Sequence, residues 1–342
     1  MPNCRIAELP NGGIVLNLAF STRDLARTRF ALSPLWEVVA SVRIVKHPAE
    51  HPFFRPWSDE VRPRLAASGL DWGLLADLVP QPPRLIPVFV APPPTAPVPD
   101  LGVELAVLRS TAPEQVRSAL AGRRAPRSAR IEALRDDPQR GLAELADAVE
   151  AYWEIAVAPY WPRMRSLLEG DVLQRARLLA EGGAQQLLND LDPQVTWDAD
   201  TLSVRHRHTG GSRTLGDQGL LLVPSVFVWP RVFSVTGPGW QPVLRFPPRG
   251  VATLWERRTI PPDALAAVIG RSRAVLLAEL DTPASTSDLA RRTGLTAGGV
   301  SQHLTALRAA GLVDAHRTGR YVLYVRTEAA ETLLAAAAAS PR

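Results

Sequence analysis

Cysteine and lysine are nearly missing from this chain of 342 residues. Cys4 is the single cysteine, which excludes both an internal disulfide and a cysteine-based metal site. Lys46 is the one lysine among 39 basic residues, so arginine carries almost all of the positive charge. An individual arginine is therefore weak evidence for a nucleic-acid partner, and clusters of arginines are more informative.

Long apolar runs are also missing. The most apolar run, 219–235, is interrupted by Pro224, Pro230 and Arg231, so we expect no membrane span. The N-terminus is polar and contains proline and glycine, unlike a secretory signal, and a cytoplasmic protein is expected. With 46% hydrophobic and 21% charged residues, the composition fits an ordinary globular chain of two or three domains.

Signatures of catalysis and metal binding are missing as well. The sequence has no glycine-rich phosphate loop, no Gly-x-Ser-x-Gly elbow and no His-Glu-x-x-His pair. His206 and His208 would share one face of a strand without an evident third ligand, which favours an exposed strand pair over a metal site. We expect no catalytic residue, no metal and no cofactor, although an active site assembled from distant residues would leave no signature.

The stretch 285–326 has the pattern of two short helices followed by a hairpin. Hydroxyl residues from Ser285 onward predict the start of the first helix, and Gly294 predicts its end. Thr296 is the predicted N-cap of a second helix after a short turn that contains glycine. This spacing predicts a helix-turn-helix, with strands at 312–316 and 321–326 forming a wing.

The second helix has an apolar and a polar face. Val300, Leu304 and Leu307 lie at i, i+4 and i+7 and are predicted to pack inward. The opposite face is polar but uncharged, which suits hydrogen bonding to base edges in a major groove. The predicted base-reading residues are Gly298, Ser301, Gln302 and Thr305.

Basic and polar residues around that face are predicted to contact DNA phosphates. Between residues 271 and 326 eight arginines stand against four acids, so most of the net charge of +5 lies in this part. A hairpin tip with two guanidinium groups is typical of a phosphate-contacting wing. The predicted phosphate contacts are Thr296, His303, Arg308, Arg317 and Arg320. For His303, simple packing is the alternative.

Three elements of this stretch resemble the ArsR-type winged-helix repressors. They are a Ser-x-His-Leu core at 301–304, an exit of the form LRxAGLV at 307–313 and a Gly-Arg-x-x-x-Tyr wing at 319–324. The resemblance implies a DNA-binding domain at 261–342. Metal-sensing members of that family use clustered cysteines, which this chain lacks. At Gly298 and Gly299 the sequence departs from the family, and either the backbone approaches DNA closely there or drift is tolerated.

Residues 1–258 are predicted to form a regulatory or effector domain, helical to about residue 190 and β-rich over 195–257. Nine prolines at 80–100 exclude a regular helix there and indicate a connector or, alternatively, a docking segment for a partner. Several stretches within 12–258 resemble an uncharacterised domain that precedes ArsR-type modules in actinobacterial regulators. The predicted fold class is α+β: a mainly helical N-terminal region with a small β-meander, followed by a C-terminal winged helix-turn-helix.

All nine tryptophans precede residue 257. Apolar and aromatic side chains are typical of small-molecule pockets, so some of these rings are candidates for an effector site. Core packing is the alternative for each of them. The candidates for the effector pocket are Trp36, Trp153, Trp161 and Trp229.

The expected function is a DNA-binding repressor that senses a small molecule or a partner. One recognition helix reads few bases, so we expect a homodimer on a pseudo-palindromic operator in double-stranded DNA. Candidate dimer surfaces are helices predicted at 262–269 and 328–339, where Leu333 and Leu334 either contact the partner subunit or only cover the winged-helix core. The alternative functions are an enzyme and a module that uses the winged helix for protein contacts.

Overall fold

The computed structural model describes residues 14–81, 85–121, 128–237, 239–254, 263–280, 283–318 and 321–339. The predicted α+β fold class is confirmed. Residue contacts divide the chain into two compact units, Met1–Tyr160 with Arg175–Pro248 and Trp161–Gln174 with Arg249–Arg342. None of the described helices is long and apolar enough to cross a membrane.

Nine α-helices are described in the first part of the chain. They are α1 (Thr22–Arg27), α2 (Pro34–Lys46), α3 (Arg55–Ala67), α4 (Gly73–Leu78), α5 (Leu101–Arg109), α6 (Pro113–Ala121), α7 (Ala129–Asp136), α8 (Pro138–Ala156) and α9 (Trp161–Asn189). Helix α9 belongs to the second unit over 161–174 and to the first unit from Arg175 onward. Gly183, with φ of 68°, interrupts it.

The strands of the first unit form two four-stranded sheets. They are β1 (Ile14–Ala19), β2 (Arg29–Phe30), β3 (Val195–Asp198), β4 (Thr201–His206), β5 (Gly211–Thr214), β6 (Leu221–Pro224), β7 (Phe233–Val235) and β8 (Val243–Phe246). The sheet orders are β3-β4-β1-β5 and β2-β6-β8-β7.

These sheets differ from the single small meander that the sequence predicts. Strand β1 pairs antiparallel with β4 and parallel with β5, while β6 pairs in parallel with both β2 and β8. Parallel neighbours require a crossover connection, whereas a meander contains only hairpins. The expectation of a meander was wrong because strands from the N-terminal region complete both sheets.

Helix α2 is the buried centre of the first unit's helical part. It begins at Pro34, and the hydroxyl of the N-cap Ser33 accepts a hydrogen bond from the Trp36 amide at 3.0 Å. Its apolar side chains face inward around nearly the whole circumference, so it has no wide polar face. A helix with this pattern is stable only inside a core.

The second unit contains the remaining elements. They are α10 (Asp263–Ile269), α11 (Arg271–Glu279), β9 (Ala284–Ser285), α12 (Thr286–Thr293), α13 (Ala297–Ala309), β10 (Val313–Thr318), β11 (Tyr321–Arg326) and α14 (Glu328–Ala339). Strands β10, β11 and β9 form one antiparallel sheet. The two predicted helices and the predicted hairpin are thus present, and β9 is a third strand that the sequence pattern did not show.

Local capping sets the bounds of α12 and α13. Ser285 and Asp288 form a reciprocal capping box at the start of α12, and Gly294 ends the helix with φ of 75°. The Thr296 hydroxyl accepts from the Gly299 amide at 3.2 Å and begins α13. The predicted inward residues Val300, Leu304 and Leu307 are buried in one cluster with side chains of α11 and α12.

Candidate nucleic-acid interface

Helix α13 presents the predicted base-reading residues on one exposed face. Gly298, Ser301, Gln302 and Thr305 are all exposed, whereas Val300, Leu304 and Leu307 on the other side are at most 2% exposed. The Thr305 hydroxyl donates to the Ser301 carbonyl at 2.9 Å, so its remaining hydrogen-bonding capacity is as an acceptor. This surface offers polar, uncharged groups over two turns of helix.

The two glycines of α13 have different surroundings. A Cβ at Gly298 would meet no atom within 4 Å, so internal packing does not require glycine there. A Cβ at Gly299 would lie 3.2 Å from the Thr296 hydroxyl oxygen, which is the atom that caps the helix. The capping contact therefore explains why residue 299 is glycine. For Gly298 both predicted explanations stay open: a close approach of the backbone to DNA, or tolerated drift.

The predicted phosphate contacts lie at both ends of α13 and on the hairpin. Thr296 is exposed at the N-cap, Arg308 is exposed in the last turn, and His303 is half-buried on the flank of the helix. Arg317 lies in β10, but its side chain and the whole of Arg320 fall outside the described residues. The contacts of the wing tip stay a prediction.

Internal ion pairs reduce the positive charge that the second unit can present to a partner. Arg291 pairs with Asp288 within α12, and Arg326 Nε lies 2.8 Å from a Glu331 carboxylate oxygen. Asp288 is already one of the four acids counted in 271–326, whereas Glu331 lies beyond that stretch, so its pair with Arg326 lowers the surplus further. Exposed arginines such as Arg308 matter more than the total.

Residues 253–315 match the family model of a helix-turn-helix domain. This match contains α10 to α13 and indicates a DNA-binding regulator. Residues 101–252 match the model of a family of unknown function, DUF5937. No curated protein and no solved structure matches the chain.

The four tryptophans predicted to line an effector pocket differ in their burial and in their contacts. Trp36 is 3% exposed and packs against Phe233 at 5.7 Å between ring centroids, within the core. Trp229 is 36% exposed and stacks on Phe53 at 4.2 Å.

The other two candidates, Trp153 and Trp161, are both half-buried, and Trp161 belongs to the same compact unit as the helix-turn-helix domain. Within the first unit, Trp36 is thus a core residue, whereas Trp229 is partly exposed. A role for any of them in effector binding stays a prediction.

Two buried carboxylates lie near Trp36 that the sequence patterns did not predict. The Glu37 carboxylate, 1% exposed, accepts from the amides of Val226 at 2.9 Å and Phe227 at 3.2 Å. Burial raises the pKa of Glu37 to about 7, and the two amide hydrogen bonds oppose that shift. Glu37 thus ties helix α2 to the segment that follows β6.

Glu104 makes a similar connection from α5. Its carboxylate accepts from the Ser33 hydroxyl at 2.6 Å and from the Leu35 amide at 2.8 Å, and so satisfies the buried N-terminus of α2. Burial raises the pKa of Glu104 to about 7, against the effect of these hydrogen bonds. Both acids stand alone within apolar helical runs, LWEVV and GVELAV, which is the signal that could have revealed them.

Arg245 lies between these acids and the aromatic core. Its guanidinium carbon is 3.8 Å from the Trp36 ring centroid, and one of its terminal nitrogens donates to the Ala91 carbonyl at 2.9 Å. Burial lowers the pKa of Arg245 to about 9, while the charges of Glu104 and Glu37 oppose the change. Arg245, Glu37 and Glu104 are thus enclosed in the first unit, where they form a structural network.

The histidine pair differs from its predicted arrangement. Strand β4 ends at His206, which is half-buried and shares a hydrogen bond of 2.8 Å with the Ser234 hydroxyl, while His208 is exposed beyond the strand. Burial lowers the pKa of His206 to about 4. The expectation of an exposed strand pair was wrong, because His206 packs against β7. Over the described residues, no three His, Cys, Asp or Glu side chains form a group that could hold a metal.

Proposed function

We propose that the chain is a transcriptional repressor of the ArsR type that binds a pseudo-palindromic operator as a homodimer. The exposed, uncharged polar face of α13 carries the proposal. A helix of this kind fits the major groove, where amide and hydroxyl side chains distinguish base pairs by their hydrogen-bonding edges. The match of residues 253–315 to a helix-turn-helix domain supports DNA as the partner.

The Ser-x-His-Leu core, the exit after α13 and the wing pattern support the ArsR type. We propose that the upstream region senses a small molecule and that the protein acts by binding, without catalysis. A module for protein contacts is a weaker alternative, since the exposed face of α13 has no large apolar side chain of the kind that anchors protein interfaces.

Sequencing the genomic DNA fragments that the purified full chain retains tests the proposal. We expect enrichment of fragments with two inverted half-sites about 10 base pairs apart, centre to centre, because two-fold related recognition helices enter successive major grooves. Retention without any shared sequence, or no retention at all, would contradict it.

The wing makes a separate prediction. Replacing Arg317 and Arg320 together with glutamine should lower the slope of log affinity against log salt by about two units, because each phosphate contact releases about one counterion. Operator affinities measured across a salt series would show this. Replacing Arg62 and Arg64, which are exposed on α3 of the first unit, removes the same charge and should leave the slope unchanged. An unchanged slope in the wing variant would refute the assignment.

The proposed dimer has a candidate contact on α10. Val268 lies on one of the predicted dimer helices and is 80% exposed, so it is accessible to a partner subunit. On α14, Ala330 is fully buried in the winged-helix core, whereas Leu333 and Leu334 are half-buried. Half-burial agrees with either predicted role of these leucines, contact with the partner subunit or cover for the winged-helix core.

Light scattering at micromolar concentration should give a dimer mass for the full chain. Val268→Glu should shift it toward the monomer, because a carboxylate would be buried without a partner in the interface. The matched control is Val103→Glu on α5, where the valine is 47% exposed in the first unit. A monomer mass for the unmodified chain bound to operator DNA would contradict the dimer.

A further inference from the structure

A crevice of about 500 Å³ lies within the second unit. Its walls come from the start of α9, from the first turn of α12 and from strand β11. Small-molecule sites usually have volumes of about 300 to 1,000 Å³, so this one is large enough for a ligand. The lining residues include Trp161, one of the candidate effector residues.

Close packing of α9 fixes one wall of the crevice. A Cβ at Gly170 would lie 2.5 Å from the Pro283 side chain, so the helix can approach the segment before β9 only because residue 170 is glycine. The carboxylate of the next residue, Asp171, accepts from the Arg249 amide at 3.0 Å. These two contacts fix the position of residues 161–174, so this part of α9 is a fixed surface that a ligand can contact.

Part of the lining of the crevice is apolar. Trp161 and Pro162 line it from α9, and Val322 lines it from β11. Val322 is 40% exposed, and Trp161 is half-buried with a planar indole surface. Aromatic rings bind flat apolar groups by stacking and by removing their surface from water. Together, these apolar residues favour a planar ligand.

The rest of the lining is largely polar but has no net charge. Arg165 pairs with Glu169 at 2.8 Å on α9, and Arg291 pairs with Asp288 on α12. A charged ligand would compete with these existing ion pairs for the same side chains, whereas a neutral ligand would not. Ser285, Thr286 and Ser287 also line the crevice, and the Ser285 hydroxyl is already engaged in the capping box of α12. These groups favour a neutral ligand with hydrogen-bonding substituents.

We propose that this crevice binds a neutral aromatic small molecule carrying hydroxyl or carbonyl groups, and that its occupancy changes the affinity for DNA. The second statement rests on the proposed function. Helix α12 is the first helix of the helix-turn-helix, and β11 is a strand of the wing. A ligand in contact with α9, α12 and β11 biases the position of the DNA-binding elements if it binds one arrangement more tightly.

The test uses the full chain and N-phenyl-1-naphthylamine, a neutral aromatic dye that fluoresces in apolar surroundings. Titration without DNA should give saturable binding. Val322→Glu, which places a carboxylate beside the apolar lining, should weaken that binding at least tenfold. Val103→Glu, a matched change of an exposed valine in the first unit, should have no effect. Ser287→Phe provides a second blocking variant at an exposed helix position, where folding should tolerate the larger ring.

Absence of saturable binding would overturn the site, as would equal binding by the unmodified chain and both blocking variants with unchanged circular dichroism. The coupling is tested separately by titrating the dye with and without a retained DNA fragment. Linkage requires the two ligands to change each other's affinity by the same factor, and we expect at least a fivefold change. A factor of one would overturn the coupling. A chain that binds the dye but no DNA would contradict the proposed function and not the site.

Discussion

Replacing Glu37 with alanine should lower the free energy of unfolding of the first unit by roughly 4 kcal/mol, because two buried amide donors lose their acceptor at about 1–3 kcal/mol each. These donors are the amides of Val226 and Phe227. The alanine variant also leaves the buried Arg245 with one fewer opposing charge, which adds to the loss. Denaturant unfolding followed by tryptophan fluorescence would measure the effect.

The matched control is Glu154→Ala on α8, where the glutamate is exposed in the same unit. A surface change of this kind should alter the free energy of unfolding by less than about 0.5 kcal/mol. If both variants lost the same small amount, the hydrogen bonds of Glu37 would not hold α2 to the segment after β6.

The pH dependence of stability provides a second measurement on the same residue. The folded pKa of Glu37 is about 7, above its ordinary value of 4.5, so the folded state binds more protons than the unfolded state between these values. Stability should therefore fall as the pH rises from 4.5 to about 7. Glu104 has the same shift and contributes in the same window. Glu37→Gln should remove about half of this slope, although it costs some stability at every pH.

Local signals explain why much of the second unit was predictable. The bounds of α12 and α13 follow from the side chains of Ser285 and Thr296 and from the left-handed backbone at Gly294, all of which lie within or next to the helices that they delimit. The inward face of α13 follows from helical periodicity alone. No distant residue is needed for these predictions.

The first unit was less predictable because its order depends on pairs that are far apart in sequence. Strand β1 pairs with β4, so Leu16 lies opposite Val204, and no local pattern specifies that partner. The hydrogen bonds of Glu37 and Glu104 likewise reach other elements. A buried acid is recognisable from its apolar neighbours, but its partners are set by the tertiary fold. For the same reason, composition could not separate a core tryptophan such as Trp36 from one that lines a crevice, such as Trp161.

The exposed face of α13 leads to the largest expected effect on function. Gln302→Glu combined with Thr305→Glu should weaken operator binding at least 100-fold, because each base contact is worth about 1–3 kcal/mol and each new carboxylate also meets the negative potential of the phosphates. Both residues are exposed and neither belongs to the buried face of α13, so the fold should persist. Fluorescence anisotropy with a retained DNA fragment would measure the affinity, and circular dichroism would verify folding.

The control for the added charge is Gln174→Glu, at an exposed position of α9 in the same unit but away from α13. It should change affinity only by the weak, salt-dependent effect of one distant charge. Gln302→Ala separates lost recognition from repulsion, since it should cost about 1–3 kcal/mol and relax the preference at one base pair. If the doubly acidic variant bound the operator as well as the unmodified chain, α13 would not be the recognition helix. The DNA-binding surface would then have to be sought among the other exposed elements.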